Sequence, residues 1–500
     1  MSINTIASPM TILSQRFVSM RKDLLNLQQQ LGTGRASDTF GGLGTDRDLA
    51  LAFRSNRSAA EAYRSTISTL DVRMQVMQTS VTRLQDISLE AKGVLQPSVY
   101  QLADGSQTAE QKVARTQLDE MASLLNTQVD GRYLFSGLST DTEPVVSIDK
   151  IIEGDGSRAG FRQVMSERRQ ADLGATGLGR LTVASGPGDG VTLEEDAAGH
   201  PFGFKISGIS TTSSAIAVTG PTGGQDTVTA ELTSLPTAGE KVRITLDMPD
   251  GTSTAIELTA TNSATPGAGA YTIGADTATT AANLQAALTT ALGKAANTEL
   301  AAASAYAAAD NFFNIDDANP PLRVAGPPYD SATALVAGTS TDTVSWYVGE
   351  SGAGNARQTA TARIDQGQTI SYGARANELA LRNTFQNLAV VATQTFSSTN
   401  GDAIAEYDAM ATRLRTNLDD PSGAASPKSV SVDIAAAQRA MAAADDRHTT
   451  TTNYMDDLID GIEGVDTEDL AAKILTVQTR LEATYSVTSM LSQLSLTNYL

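Results

Sequence analysis

Two apolar seams, one at each end of the chain, constrain its fold more than any other feature. Near the start, Ile6, Met10, Leu13, Phe17, Met20, Leu24, Leu27 and Leu31 alternate by four and three without a break. In the stretch from Val465 to Leu500, Leu470, Ile474, Val477 and Leu481 recur at four, three and four, and Val487, Leu491 and Leu494 resume the stripe after a polar gap. Two apolar residues in seven make a coiled-coil seam, narrower than the face a helix turns toward a globular core. A seam requires a partner helix. The spacing therefore predicts that the two ends pair and that the chain between them is thrown outward.

The remaining helical signals fit this plan. Ser8-Pro9 suits a helix start, and Gly32-Thr33-Gly34 a stop near Leu31. Residues 32–45 hold five glycines and no periodicity, as expected of a loop with a defined backbone path. Thr45 and Asp48 resemble a capping box opening a second helix, whose seam runs Tyr63, Ile67, Leu70, Met74, Met77, Val81, Leu84 toward Lys92 and Gly93. Thr108 and Gln111 repeat the capping pattern before Ala114, Leu118, Met121 and Leu125, with Asp130-Gly131 expected to end that helix. Late in the chain, Asn377–Ala392 and Ile404–Leu418 read as a helical pair, broken at Ser397–Gly401. Ser426-Pro427 starts a long helix with Ile434, Met441, His448, Met455 and Ile462 at intervals of seven. Ala437, Ala444, Thr451 and Leu458 supply its second seam position, and Gly461 and Gly464 its stop. Asp466 caps the last helix.

Between residues 140 and 370 the helical period gives way to short β-like runs punctuated by Gly, Thr, Ser, Asp and Pro. Lys241–Met248 and Thr254–Ala260 flank Pro249-Asp250-Gly251, a hairpin signal, and Thr277–Ala295 reads as an Ala-rich helix. Together they predict one compact β-plus-α module around residues 225–325. Trp346-Tyr347-Val348 reads as a further strand, and Gly186–Gly190 as a turn. The expected fold class is α+β. An elongated helical coiled-coil rod would come from both termini (1–140 and 371–500), with a β-rich outer region (141–370) inserted.

Composition narrows the function. A net charge of −20 leaves no basic excess to neutralise phosphates, which disfavours nucleic acid as a partner. No cysteine is present, so disulfides, thiolate nucleophiles and zinc–thiolate sites are excluded. The first residues carry no basic stretch followed by an apolar run, and no segment approaches 18 consecutive apolar residues. Neither a cleaved secretory signal nor a membrane span is expected. No phosphate-loop lysine pattern, H-E-x-x-H or calcium loop occurs, and Gly154–Gly160 lacks dinucleotide-loop spacing and reads as a turn. Asp316-Asp317 reads as a solvated loop. His448 lies on an apolar stripe with only Asp445 in metal-ligating reach, so it reads as a packed seam histidine, with a pH-sensitive joint as the sharper alternative. No catalytic, cofactor or metal residues are expected, and the chain does not read as an enzyme.

One stretch carries more than periodicity. Asn126-Thr127-Gln128-Val129-Asp130-Gly131-Arg132-Tyr133-Leu134-Phe135-Ser136-Gly137 reads as a helix end, a Gly turn and a short apolar strand. It resembles the flagellin family, and within it the hook-associated group of the hook–filament junction, whose members carry a similar N-G-R-Y-L-F-S-G stretch. Asn126, Gly131, Arg132, Tyr133, Leu134, Phe135 and Gly137 carry the likeness; Asp130 stands where the family often has Asn. The closing residues Leu491–Leu500 are similar too, and lack the Arg-containing tail more usual in filament flagellins. The resemblance covers about residues 1–140 and 370–500.

It implies an extracellular structural subunit of the bacterial flagellum, exported through the flagellar type III channel without a cleaved signal. The subunit would connect hook to filament and template filament growth. Implied partners are further copies of itself in a ring or filament, other hook-associated proteins, flagellin and an export chaperone; no nucleic acid, membrane or cofactor is implied. The alternatives are a filament-forming flagellin with a large outer domain, and an adhesive or glycan-binding outer domain. In the first two, Ile6, Met10, Leu13, Phe17, Met20, Leu24, Leu27, Leu31, Ile474, Val477, Leu481, Val487, Leu491 and Leu494 form the assembly interface.

Overall fold

The computed structural model describes residues 9–94, 100–103, 107–222, 226–315, 320–352, 354–396, 401–419 and 423–493. The chain is α+β. It groups into two compact units. One comprises Met1–Asp71, Arg363–Thr369 and Arg439–Leu500; the other comprises Val72–Ala362 and Ile370–Gln438.

Helix α1 spans Pro9–Thr33 and stops where Gly34 turns to φ +69°. The Ser8 cap expected for it lies outside the described residues. The segment that follows is more regular than its glycines suggest: Phe40–Asp46 form a 3-10 stretch with Gly44 at φ +59°. Helix α2 (Arg47–Val94) starts two residues beyond Thr45, which lies inside that 3-10 stretch, so the Thr45–Asp48 capping box does not open it. At ~1.5 Å per residue α2 is ~72 Å long. Its seam from Ile67 through Leu84 is buried. Helix α3 (Ala109–Leu125) has the expected capping box, with Gln111 N donating to Thr108 Oγ1 (3.3 Å) and Thr108 N to Gln111 Oε1 (2.9 Å). It ends at Leu125, earlier than expected. Asp130-Gly131 is instead the turn of a hairpin between β1 (Gln128–Val129) and β2 (Arg132–Tyr133). Both turn residues have positive φ, +53° and +71°, which suits an Asp-Gly two-residue hairpin.

The middle of the chain is more helical than its sequence suggests, with α4 (Ile148–Glu153) and α5 (Phe161–Leu173) ahead of the large sheets. Strands β3 (Leu181–Gly186), β4 (Gly190–Glu195), β5 (Lys205–Thr211), β6 (Ile216–Thr222) and β7 (Thr227–Leu232) follow. So do β8 (Lys241–Asp247), β9 (Ser253–Thr261) and β10 (Ala270–Thr272). They form two four-stranded sheets, ordered β3-β4-β7-β6 and β10-β9-β8-β5. The β8–β9 hairpin is as expected, and so is the turn between β3 and β4. Alternate residues enter the core: Val228, Ala230 and Leu232 on β7, Val242, Ile244 and Leu246 on β8. Helix α6 (Thr277–Ala295), at the bounds its sequence predicts, adds Leu284, Leu288 and Leu292 at i, i+4, i+8. The β-plus-α module thus begins at Leu181 rather than near residue 225, because four strands precede that point and the stretch they span contributes Leu181, Val191, Leu193, Phe204, Ile206 and Ile216 to the same core.

A π turn (Ala296–Leu300) leads from α6 into α7 (Ala301–Phe313), which is buried almost all round. Two short antiparallel pairs follow: β11 (Leu322–Val324) with β12 (Leu335–Ala337), and β13 (Thr361–Asp365) with β14 (Gln368–Ser371). Trp346-Tyr347-Val348 is not a strand. Tyr347 makes a single bridge to Val145, and Trp346 is a core residue whose indole N–H donates to Phe313 O at 2.9 Å. Helices α8 (Leu379–Thr393) and α9 (Ala403–Leu418) are the expected pair; most of the break between them, like Asp316-Asp317, lies outside the described residues. Helix α10 (Pro427–Glu463) runs through Gly461, and α11 (Thr467–Gln493) closes the described chain. Asp466 Oδ1 caps α11, accepting from Glu468 N (2.9 Å) and Asp469 N (3.2 Å).

Candidate assembly surface

Helices α1 and α11 lie side by side. They run antiparallel, because Val465 N bonds Gly34 O (3.2 Å) at one end while Phe17 and Tyr485 meet edge to face, centroids 4.9 Å apart, further along. On α1, Leu13, Phe17, Met20, Leu24 and Leu27 are half-buried, which is the four-three stripe of the seam; Leu31 is exposed. On α11, Leu470, Ile474 and Leu481 are buried and Val477 half-buried. Val487 is 49% exposed. Ile6 and Leu494 lie outside the described residues, as do the side chains of Met10 and Leu491.

Two helices in contact cannot cover all the apolar side chains they carry. Val18 (62% exposed) and Leu25 (60%), one heptad apart, form a second stripe on one flank of the α1 seam, and Ile12 is exposed on the other flank. Leu475, Tyr485 and Met490 are likewise exposed on α11. Clustered exposed apolar side chains on a soluble chain mark contact surfaces.

The pair is anchored where α10 passes into α11. Ala36 N donates to Glu463 O (2.7 Å), and Arg35 bridges Gly464. Gln30 Nε2 closes the turn on Ala36 O (2.7 Å). Arg54 on α2 grips both oxygens of Glu463, at 2.8 and 2.5 Å. The Arg54 hydrogen bonds hold the Glu463 carboxyl below the usual carboxylate range. The seams predict that the two ends pair, but nothing in the sequence singles out the Arg54–Glu463 pair or the Ala36–Glu463 bond that fix the joint.

His448, on α10, is buried and stacked on Tyr63 (5.2 Å). Its Nε2 lies 2.8 Å from Ile364 O. A carbonyl only accepts, so that nitrogen must carry its proton, and it cannot also ligate a metal. Asp445, the co-ligand that the sequence offers, bonds Arg64 instead (3.0 Å), and the carboxylate facing the imidazole is Asp365, with Oδ1 3.9 Å from Nε2. Among the described residues no group of three or more His, Asp or Glu side chains could hold a metal ion, and no helix is long and apolar enough to cross a membrane.

In the other unit, the segment from Asn126 to Gly137 ties the end of α3 to the strand-like stretch before α8. Asn126 satisfies Val145 in both directions, accepting from its N–H (2.9 Å) and donating to its carbonyl (2.8 Å). Leu134 N bonds Thr127 O (3.0 Å), and the carbonyl of fully buried Phe135 accepts from Ala376 N (2.9 Å). Gly137 N bonds Ala374 O (3.2 Å). A Cβ on Gly137 would meet the Glu350 and Arg375 side chains, and its φ of +65° favours glycine in any case. Arg132, Tyr133, Leu134 and Gly137 line a recess of about 280 Å³ beside Arg73 and Tyr372. The buried residues of this segment are thus structural, while Arg132 is exposed at the recess.

No protein-family model matches the chain, and no curated protein matches it.

Proposed function

We propose that the chain is a self-assembling structural subunit of the bacterial flagellum, of flagellin type and acting at the hook–filament junction. In this reading α1 and α11 are the inner part of a coiled-coil rod, and copies pack by burying the apolar side chains that the pair leaves exposed. The observation that carries it is the antiparallel α1–α11 pair with Val18, Leu25, Leu475 and Met490 facing outward. Burying one such Leu or Met contributes roughly 1.5–3 kcal/mol, so a handful per subunit contact drives assembly. The resemblance of residues 126–137 to the flagellin family supplies the biological setting: export through the flagellar channel, and partners among hook-associated proteins and flagellin.

Negative-stain electron microscopy of the purified chain, with and without ammonium sulfate, tests the proposal, because that salt strengthens apolar burial. Short rings, or monomers that add to a hook-associated template, support a junction subunit. Long filaments make it a filament flagellin. A chain that stays monomeric on every template and keeps both ends resistant to protease is not an assembly subunit.

A further inference from the structure

A wide cleft lies in the β-plus-α module. It is open, about 870 Å³ in volume, and runs between β9 and the outer side of α6. Strand β9 pairs with β8 from Ser253 to Thr259 on one side. On the other side it has β10 only at Thr259–Thr261. The first half of β9, with Ala255 and Glu257 in the cleft wall, is therefore a free sheet edge. Main-chain groups alternate along a strand. Ala260 N donates inward to Glu240 O (2.8 Å), whereas Thr259 N donates outward to Gly269 O (2.9 Å). The N–H and C=O of Glu257 and Ala255, two and four residues before Thr259, therefore face the same open side.

Opposite that edge the helix wall is made of small residues: Ala286, Ala287, Thr290 and Ala291. The β9–β10 loop, from Ala264 to Gly269, forms the remaining wall and approaches the Glu257 carbonyl at Gly269, and the space toward Ala255 is open. One end is closed where Asn283 Nδ2 bonds Thr272 O (2.9 Å), capping the outer edge of β10. At the other end stands Lys294, eleven residues along α6. At ~1.5 Å rise per residue this gives a cleft ~16 Å long, about five residues of extended chain at ~3.3 Å each. The carboxylates in the wall are already held, Glu257 by Lys241 (2.6 Å) and Glu299 by Arg413 (2.9 Å). Lys294 has no ion-pair partner among the described residues.

The geometry points to a peptide-binding cleft: an extended segment of about five residues adds to the free edge of β9 and turns an acidic side chain to Lys294. Main-chain bonds to Ala255 and Glu257 give affinity, the small-residue wall admits small or β-branched side chains, and Lys294 sets polarity. The inference is independent of the flagellar reading.

The test is selection of phage-displayed random heptapeptides on the full chain, with the Ala287→Trp variant, which fills the cleft, as counter-target. Enriched peptides are then synthesised and titrated by fluorescence anisotropy. The expected result is a set of extended, β-branched sequences sharing one Asp or Glu. Binding should fall at least tenfold in Ala255→Pro, which removes an outward N–H, and in Lys294→Glu, which reverses the charge at an exposed position. Amide exchange at Ala255 and Glu257 should slow on binding. Thermal melting of each variant separates loss of binding from loss of fold. Failure to enrich such peptides, or binding that survives both Ala255→Pro and Lys294→Glu, overturns the proposal.

Discussion

Glu463, the last residue of α10, holds Arg54 of α2 through both carboxylate oxygens across 409 positions of sequence. Its own carbonyl accepts from Ala36 N, so one residue fixes both the side chain of α2 and the turn after α1. The folded carboxyl titrates below its unfolded value because Arg54 hydrogen-bonds the charged form. The stability this contributes is fully present above the unfolded value, about pH 4.5, and is lost as pH falls through the folded one. Acidifying from pH 7 to 3 should therefore lower the protection of Ala36 and Val465 amides, measured as exchange relative to the intrinsic rate at each pH. Glu463→Gln should exchange faster at pH 7 and respond less to acid. Because Arg54 is partly exposed, the cost is about 1–2 kcal/mol.

The helical half of the fold is legible because its long helices are amphipathic. The seam of α2, the Thr108 cap and the bounds of α6 all follow from spacing. The misses share a cause as well. Helix α7 is buried on nearly every side, so AAASAYAAAD shows no polar face to mark a period. Strand β3 ends in Ala-Ser-Gly and β5 has a bulge at Ser207, between Ile206 and Gly208, which blurs alternation. Trp346 reads as β-like by composition but is held by the packing of Phe313 and Phe385 around it. At the candidate surface, the seam positions are readable. The second stripe through Val18 and Leu25 is not, because only the α1–α11 pairing tells which apolar residues are left outside.

Gln111 offers a test of the capping box beyond local helix stability. Its amide nitrogen donates to Val391 O (2.8 Å) and Gln394 O (2.7 Å), while its oxygen accepts from Thr108 N. Gln111→Ala would strand two buried carbonyls and one N–H. At about 1–3 kcal/mol for each unsatisfied group, partly relieved by water, the expected loss is about 2–4 kcal/mol in chemical denaturation. Thr108→Ala removes only the cap and should cost about 1 kcal/mol.

Gly137 is the motif position least able to change. Alanine there would put a Cβ 2.8 Å from Glu350 Cβ and 3.2 Å from Arg375 Cγ, at a backbone φ of +65°. The left-handed backbone alone costs about 1 kcal/mol or more for a residue with a Cβ. Moving Glu350 also endangers its bond to Leu138 N (2.8 Å). Gly137→Ala should lower stability by about 1–3 kcal/mol in denaturant titration. Gly131→Ala meets no atom within 4 Å and should cost only the backbone term, at the low end of that range.

Paired substitutions on α1 and α11 separate folding of the helix pair from assembly of copies. Leu481 is buried and Leu25 is 60% exposed in the single chain. Leu481→Asp places a charge in the α1–α11 contact, and protease should then remove both ends of the monomer. Leu25→Asp adds a charge where solvent already reaches. It should leave monomer helicity and melting within about 0.5 kcal/mol of the parent chain. If copies pack through the second stripe, Leu25→Asp should nevertheless abolish assembly, since an unpaired carboxylate in a subunit contact costs several kcal/mol. Circular dichroism and sedimentation velocity on the same samples read the two effects separately. Normal assembly by Leu25→Asp together with Val18→Asp would remove the exposed stripe from the subunit contact and, with it, the observation on which the structural-subunit reading rests.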